Sequence, residues 1–220
     1  MPDSAYYECM RRKEFAVDFE GEGKAEIEAF LNEMTFGFMA TTGSIEGSAH
    51  PHITPLNYLF HNGCFYMHGS RIGQKMKDIG AGAAVTFAVA KEYSIIPSFF
   101  SGAEIACPAT AFFKSVIAYG FIHEETDLQR KSDLFQLFME RLQPEGRFRP
   151  FSTDDPEYLK NLRGVSLLQI KPERITAKFK FGQNQKERVW NLIADNLKER
   201  NTPESLQTLA EMEKRCPFGH

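Results

Sequence analysis

The sequence predicts a mainly β protein, an antiparallel barrel with helices at its periphery. Three observations carry that prediction. Six or more strand-like runs follow one another, most of them joined by short turns, which favours hairpin neighbours over parallel crossovers. The tripeptide His61–Asn62–Gly63 is a hairpin signal, because Asn-Gly supplies positive φ. Phenylalanine is abundant, 20 residues against a single tryptophan, which suits an aromatic-rich core or a planar ligand pocket.

The elements follow in chain order. Residues 24–34 place Ile27, Phe30, Leu31 and Met34 at helical spacing, giving a short amphipathic helix. "FGFMATT" reads as a strand, closed by the polar turn "GSIEGS". "HPHITPLNYLF" is a longer extended segment. Its prolines lack an N–H, so they suit an edge, a bulge or a place where a ligand replaces the ladder. After the hairpin an aromatic strand runs into a short helix expected to start near Ser70, and "AAVTFAVA" is a buried-type strand. Segment 92–109, with Pro97, Gly102 and Pro108, is expected to be irregular and to include a mobile loop. "ATAFFKSVIAYGFIHE" is a long strand whose Gly120 is the place for a bulge. Residues 126–142 are a clear amphipathic helix, "VSLLQIKP" and "RITAKFKFG" are two further strands, and 186–215 is helical and charged. With no repeat, low-complexity tract or linker, the expectation is one domain over 1–220 with a helical C-terminal extension from about residue 186.

The formal net charge is −3, which argues against a general nucleic-acid binder. No apolar run approaches the roughly 18 residues that span a bilayer. "MPDSAYYECMRRKEF" has no apolar stretch after its basic residues, so it does not read as a secretory signal. Cys9, Cys64, Cys107 and Cys216 are scattered and form no CxxC pair, as expected for free thiols in a reducing cytoplasm.

The stretch with most chemistry is "SRIGQK", Ser70 to Lys75, set between two strand-like runs. Arg71 offers a bidentate fork, Lys75 a point charge and Ser70 a short donor, and a helix start adds free N–H groups. Such a set suits a phosphate monoester. From these residues alone, a solvated helix turn is the better account of them. A catalytic thiol would need a base and a positive field beside it, and none of the four cysteines sits in that context. His50 and His52 share one strand face and, with His68, are what a metal or haem would use. No carboxylate completes a recognisable ligand set, so no metal site is expected.

The run "PHITPLNYLFHNGCFYMHGSRIGQKMKDI", Pro51 to Ile79, resembles the first half of the FMN-binding split-barrel proteins. That superfamily includes the pyridoxamine 5′-phosphate oxidases and the nitroimidazole-resistance reductases. The pattern is a strand histidine, a Pro-hydrophobic continuation, a hairpin, an aromatic strand ending in His, then small-Arg-x-Gly-x-Lys. "FFKSVIAYGFIHEETDLQRKSDLFQLFMERL" is similar to the reductase branch, where a Ser-containing strand with Tyr-Gly precedes a helix. The likeness covers roughly residues 10–180. The tail "AKFKFGQNQKERVWNLIADNL" further resembles FMN-binding proteins described as negative transcriptional regulators, whose last strand also ends in Gln-Asn.

The resemblance implies a Greek-key split barrel, a homodimer with FMN at the subunit interface, and redox chemistry on a small molecule, nitroreductase-like or pyridoxamine-phosphate-oxidase-like. It implies that His52, Ile53, Thr54 and Pro55 line the flavin ring, that Met67 and His68 close over ring or phosphate, and that Ser70, Arg71 and Lys75 hold the phosphate. Lys114 and Ser115 fall where a second subunit contributes to the flavin, and Lys180, Gln183 and Asn184 near the cofactor edge. His68 matches a histidine close to cofactor and substrate in the reductase branch, and is the candidate catalytic residue. No basic set is assignable to a second phosphate, which tilts the reading toward a reductase. Two other readings stay open: a non-catalytic flavin sensor, from the Gln-Asn tail, and a haem protein, since some split-barrel relatives bind haem.

Overall fold

The computed structural model describes residues 13–41, 50–79 and 84–219, apart from the side chains of Gln74, Lys75 and Asp78. The strands are β1 (Ala16–Val17), β2 (Phe36–Thr41), β3 (His52–Asn57), β4 (Leu59–His61), β5 (Cys64–Ser70), β6 (Ala84–Ile96), β7 (Thr110–Glu125) and β8 (Val165–Lys180). The helices are α1 (Lys24–Glu33), α2 (Gln74–Ile79), α3 (Leu128–Leu142), α4 (Pro156–Gly164), α5 (Glu187–Arg200) and α6 (Pro203–Glu213). Among the described residues the strands form one sheet in the order β3-β2-β6-β7-β8-β5-β4, with β1 on β8. The pairings of β1 with β8, β2 with β3 and β6, and β5 with β4 and β8 are antiparallel. The mainly antiparallel barrel expected from the sequence is the fold found.

Local chemistry explains most boundaries. The β4–β5 hairpin turns on Asn62 and Gly63, at φ 50° and 75°, as Asn-Gly permits. Asp127 caps α3 by accepting from the Arg130 N–H at 2.7 Å. Helix α4, which periodicity does not reveal, starts on Asp155, whose carboxylate accepts from the N–H groups of Glu157 and Tyr158, with Pro156 at the first turn. That Asp-Pro-Glu signal is legible in the sequence.

Three expectations need correction. Strand β6 continues through residues 92–96 instead of turning irregular there. Its buried alternation of Val85, Phe87, Val89 and Tyr93 shifts phase at Ser94 and Ile96, and the exposed Ala90 and Glu92 with half-buried Lys91 hide the strand. The two strands expected in 165–180 are one. Pro172 suits extended backbone, and the exposed Lys171 and Glu173 merely interrupt the apolar pattern. Gly120 lies in an unbroken strand: a Cβ there would stand 2.3 Å from the Lys171 carbonyl oxygen, so it is glycine because β8 passes close by.

The chain divides into two compact units. The first, Ala25–Val89 with Ile117–Ile175, has a core in which the rings of Tyr58, Phe65 and Phe87 lie 5.1–5.6 Å apart. The Tyr58 hydroxyl donates to the Leu31 carbonyl at 2.7 Å, and burial holds its pKa well above the usual phenol value. Beside this core a second cluster joins Leu59, Tyr66 and Leu167 to Leu134, Phe135 and Phe138 of α3. The second unit, Met1–Lys24, Ala90–Val116 and Thr176–His220, buries Tyr93, Phe112, Phe179 and Phe181 together with Trp190, Leu197 and Met212 of its helices.

Candidate functional site

Strand β3 is at the edge of the sheet, so one side of its backbone is open to a ligand or another chain. Its side chains alternate: His52, Thr54 and Leu56 are half-buried, whereas Ile53, Pro55 and Asn57 are exposed. Pro55 pairs with Phe38 and Ile53 with Ala40 across β2, so these residues share one outer face. That face carries Phe36, Phe38 and Ile53 at 45%, 51% and 59% exposure, with the two phenylalanine rings edge to face at 5.8 Å. Contiguous exposed apolar side chains of this kind make a candidate binding surface. On the opposite side, Thr54 pairs with Met39, and its hydroxyl oxygen is buried with no hydrogen-bond partner among the described residues. A buried hydroxyl without a partner is rare enough to mark a place that something else fills.

Strands β3 and β5 approach each other in space. Met67 and His68 point to opposite faces of β5, as consecutive strand residues must. Met67 is fully buried in the core, while His68 is half-buried and packs on α3, its ring 5.0 Å from that of Phe138 and 5.6 Å from that of Phe135. Two residues on, Ser70 pairs with Val165, and its hydroxyl accepts from the Ile72 N–H at 3.2 Å, shaping the turn that Gly73 completes at φ 114°. Helix α2 begins at Gln74, four residues later than expected; Gly73 accepts from the Met76 and Lys77 N–H groups. The side chain of Lys75 lies outside the described residues.

Arg71 is half exposed, and its cation is anchored on one side. One guanidinium N–H donates to the Arg163 carbonyl at 3.0 Å, and the other end lies 3.6 Å from the Glu124 carboxylate. Glu124 is in turn held by the Ser166 hydroxyl, which donates to it at 2.9 Å. The ammonium of Lys131 donates to the carbonyls of Leu162 and Val165 at 2.5 and 2.7 Å, and its pKa is lowered by burial first. Arg71 and Lys131 therefore converge on the C-terminal end of α4, where carbonyls are otherwise unpaired. Sequence reasoning missed Glu124, whose only signal is the acidic "HEE" ending β7.

Lys114, Ser115, Gln183 and Asn184 belong to the second unit. Lys114 is buried, 2.8 Å from the Glu211 carboxylate of α6 and over the rings of Phe179 and Tyr93, while Ser115 turns to the other face and is half-buried. Gln183 closes its own turn, accepting from the Phe181 N–H at 2.8 Å and donating to the Phe179 carbonyl at 2.7 Å. Lys180 donates to the Thr110 hydroxyl. The Asn184 amide oxygen is buried and, among the described residues, has no hydrogen-bond partner. No group of His, Cys, Asp and Glu among the described residues is arranged to hold a metal ion, and Cys64, Cys107 and Cys216 are free thiols. Cys9 lies outside the described residues. No helix among the described residues is long and apolar enough to cross a membrane.

Three solved structures share this fold. The flavocytochrome Anf3 from Azotobacter vinelandii superposes with a TM-score of 0.61 at 19% identity, covering 78% of this chain and 72% of that one. An FAD and heme binding protein from Mycobacterium smegmatis gives 0.58 at 13%, covering 72% of each chain. A putative 5-nitroimidazole antibiotic resistance protein from Bacteroides thetaiotaomicron gives 0.51 at 20%, covering 72% of this chain and 84% of that one. No curated protein sequence matches. The model of the pyridoxamine 5′-phosphate oxidase family matches residues 23–179, well over half of the sequence. Over that span the split-barrel order of strands, the edge strand β3 and the "SRIGQK" turn are all found, and the chain belongs to the pyridoxamine 5′-phosphate oxidase family of flavin-binding split-barrel proteins.

Proposed function

We propose that this protein binds FMN between β3 and the turn after β5 and uses it to reduce or oxidise a small molecule. The observation that carries this reading is the Thr54 hydroxyl, buried and unsatisfied among the described residues on an edge strand that approaches β5, the strand leading to Ser70 and Arg71. When bound, the flavin supplies hydride and single-electron transfer. The chain's own groups bind and orient it. Thr54 and the open backbone of β3 meet the polar edge of the ring. The Ser70 hydroxyl, still free to donate, and the exposed edge of Arg71 take the phosphate, with Lys75 following on α2. His68 holds or moves a proton at the substrate, as an imidazole does near neutral pH. The outer face of Phe36, Phe38, Ile53 and Pro55 suits coverage by a second copy of the chain, in keeping with a homodimer. Lys114, committed to Glu211, fits a packing role in its own chain better than a reach toward a neighbour's flavin.

An absorbance spectrum of the purified protein tests the cofactor, because flavin and haem absorb in different bands. Arg71→Ala then tests the site. It is expected to weaken FMN at least about tenfold while leaving riboflavin, which lacks the phosphate, unchanged. Equal loss for both ligands overturns the phosphate assignment. Turnover of NAD(P)H with a nitro or quinone acceptor distinguishes an enzyme from a sensor that only binds.

A further inference from the structure

Outside this site the first unit has a cleft of about 300 Å³ where α3 crosses the β4–β5 hairpin. Its polar floor is Tyr66, 2% exposed, which sits opposite Gln169 in the β5–β8 register. The Gln169 amide lies 3.0 Å from the Tyr66 hydroxyl, and an Arg130 guanidinium N–H donates to the same hydroxyl at 3.5 Å. Leu134 and Leu137 of α3 form the apolar wall. Donors outnumber acceptors here. With the amide N–H directed at Tyr66, the tyrosine's own hydrogen finds no acceptor among the described residues. With the amide turned over, Tyr66 donates to the Gln169 oxygen and the amide N–H groups are left over instead. Either arrangement presents a donor to the cleft beside Arg130.

Charge then selects the ligand. Glu125 lies 3.1 Å from the Arg130 Nε and offsets its charge, and Asp133 lines the same cleft, accepting from the Gln129 amide at 2.9 Å. One cation faces two carboxylates, so an anionic ligand would meet net repulsion. A neutral acceptor would not. We infer that this cleft binds a small neutral carbonyl compound, a ketone or amide with an apolar body, its oxygen on Tyr66 and Arg130 and its body on Leu134 and Leu137. A cleft that buries a hydrogen-bonding group rejects analogues that cannot pair with it.

Ligand-observed NMR titration of the full-length protein with acetophenone, ethylbenzene and benzoate tests this. Acetophenone is expected to bind at least about tenfold more tightly than the other two, the worth of one hydrogen bond to a site that otherwise stays unsatisfied. Tyr66→Phe and Arg130→Gln should each weaken it several-fold. Arg130 has an exposed side chain, so its variant reads binding even if Tyr66→Phe fails to fold. The proposal is overturned if acetophenone does not bind, if ethylbenzene binds as well, if benzoate binds best, or if Arg130→Gln leaves acetophenone unchanged. Flavin content does not enter the readout, so the result is independent of the FMN reading.

Discussion

The guanidinium of Arg71 stands 3.6 Å from the carboxylate of Glu124, within the very residues proposed to receive a phosphate. Glu124 cannot swing away freely, because the fully buried Ser166 donates to it at 2.9 Å. A phosphate on Arg71 therefore arrives next to a fixed negative charge. Removing that charge while keeping the side chain's shape should help the phosphate and leave the flavin ring unaffected. Glu124→Gln is expected to tighten FMN about fivefold, near 1 kcal/mol for a partly exposed pair, with riboflavin affinity unchanged. Weaker FMN binding would instead make Glu124 the group that orients Arg71.

The outer face of β2 and β3 makes a second expectation. Phe38 of β2 and Ile53 of the edge strand β3 expose half or more of their surface on one outer face. Neither contributes to the buried core, so changing them tests association and not folding. Phe38→Lys should convert a dimer to a monomer by light scattering while the thermal melt of the monomer stays close to wild type. A wild-type protein that is monomeric and saturated with FMN refutes the interface.

The architecture was legible because the strands of this fold carry their own signals: Asn62-Gly63 for the hairpin, alternation in β7 and the cap before α3. What periodicity hid has local causes. Strand β6 slips phase between Tyr93 and Ser94, and β8 passes through Pro172 without turning. The candidate site reads in the sequence as residue types, "SRIGQK" above all, but not as partners. Nothing in the sequence reveals that Arg71 meets Glu124 or that Lys114 meets Glu211, because pairing across 53 and 97 residues depends on the folded sheet (124 − 71 and 211 − 114). Consecutive residues also read as one group when a strand splits them: Met67 enters the core while His68 packs on α3.

His68 separates catalysis from binding. Its ring lies edgewise on Phe138, so the imidazole is held in orientation by packing. His68→Ala is expected to keep FMN occupancy near wild type and to slow acceptor reduction about tenfold or more, the usual cost of losing a proton-transfer group. Stopped-flow oxidation of the reduced flavin reads the step directly. Undiminished turnover with weaker FMN would make it a cofactor contact instead.

Acid should act on the second unit first through Glu211. Its carboxylate is 8% exposed and meets Lys114 at 2.8 Å, Lys214 at 2.9 Å and Arg215 at 2.6 Å. Burial pushes this carboxyl up, but the hydrogen bonds from Lys114 and Lys214 and the charges of Lys114 and Arg215 outweigh it and hold the pKa at about 2, below its ordinary 4.5. A carboxyl whose pKa falls on folding stabilises the fold fully above its unfolded value, and that stability drains away as pH falls toward the folded value. The window is therefore between about pH 4.5 and pH 2. Glu211→Gln removes the charge that Lys114, Lys214 and Arg215 share and is expected to cost roughly 3 kcal/mol at pH 7. Denaturant melts of wild type and variant across pH 7 to 2 should show the gap narrowing through that window, as protonation removes from the wild type what the substitution already lacks. A gap that stays constant with pH would mean that Glu211 stabilises α6 by packing and not by its charge.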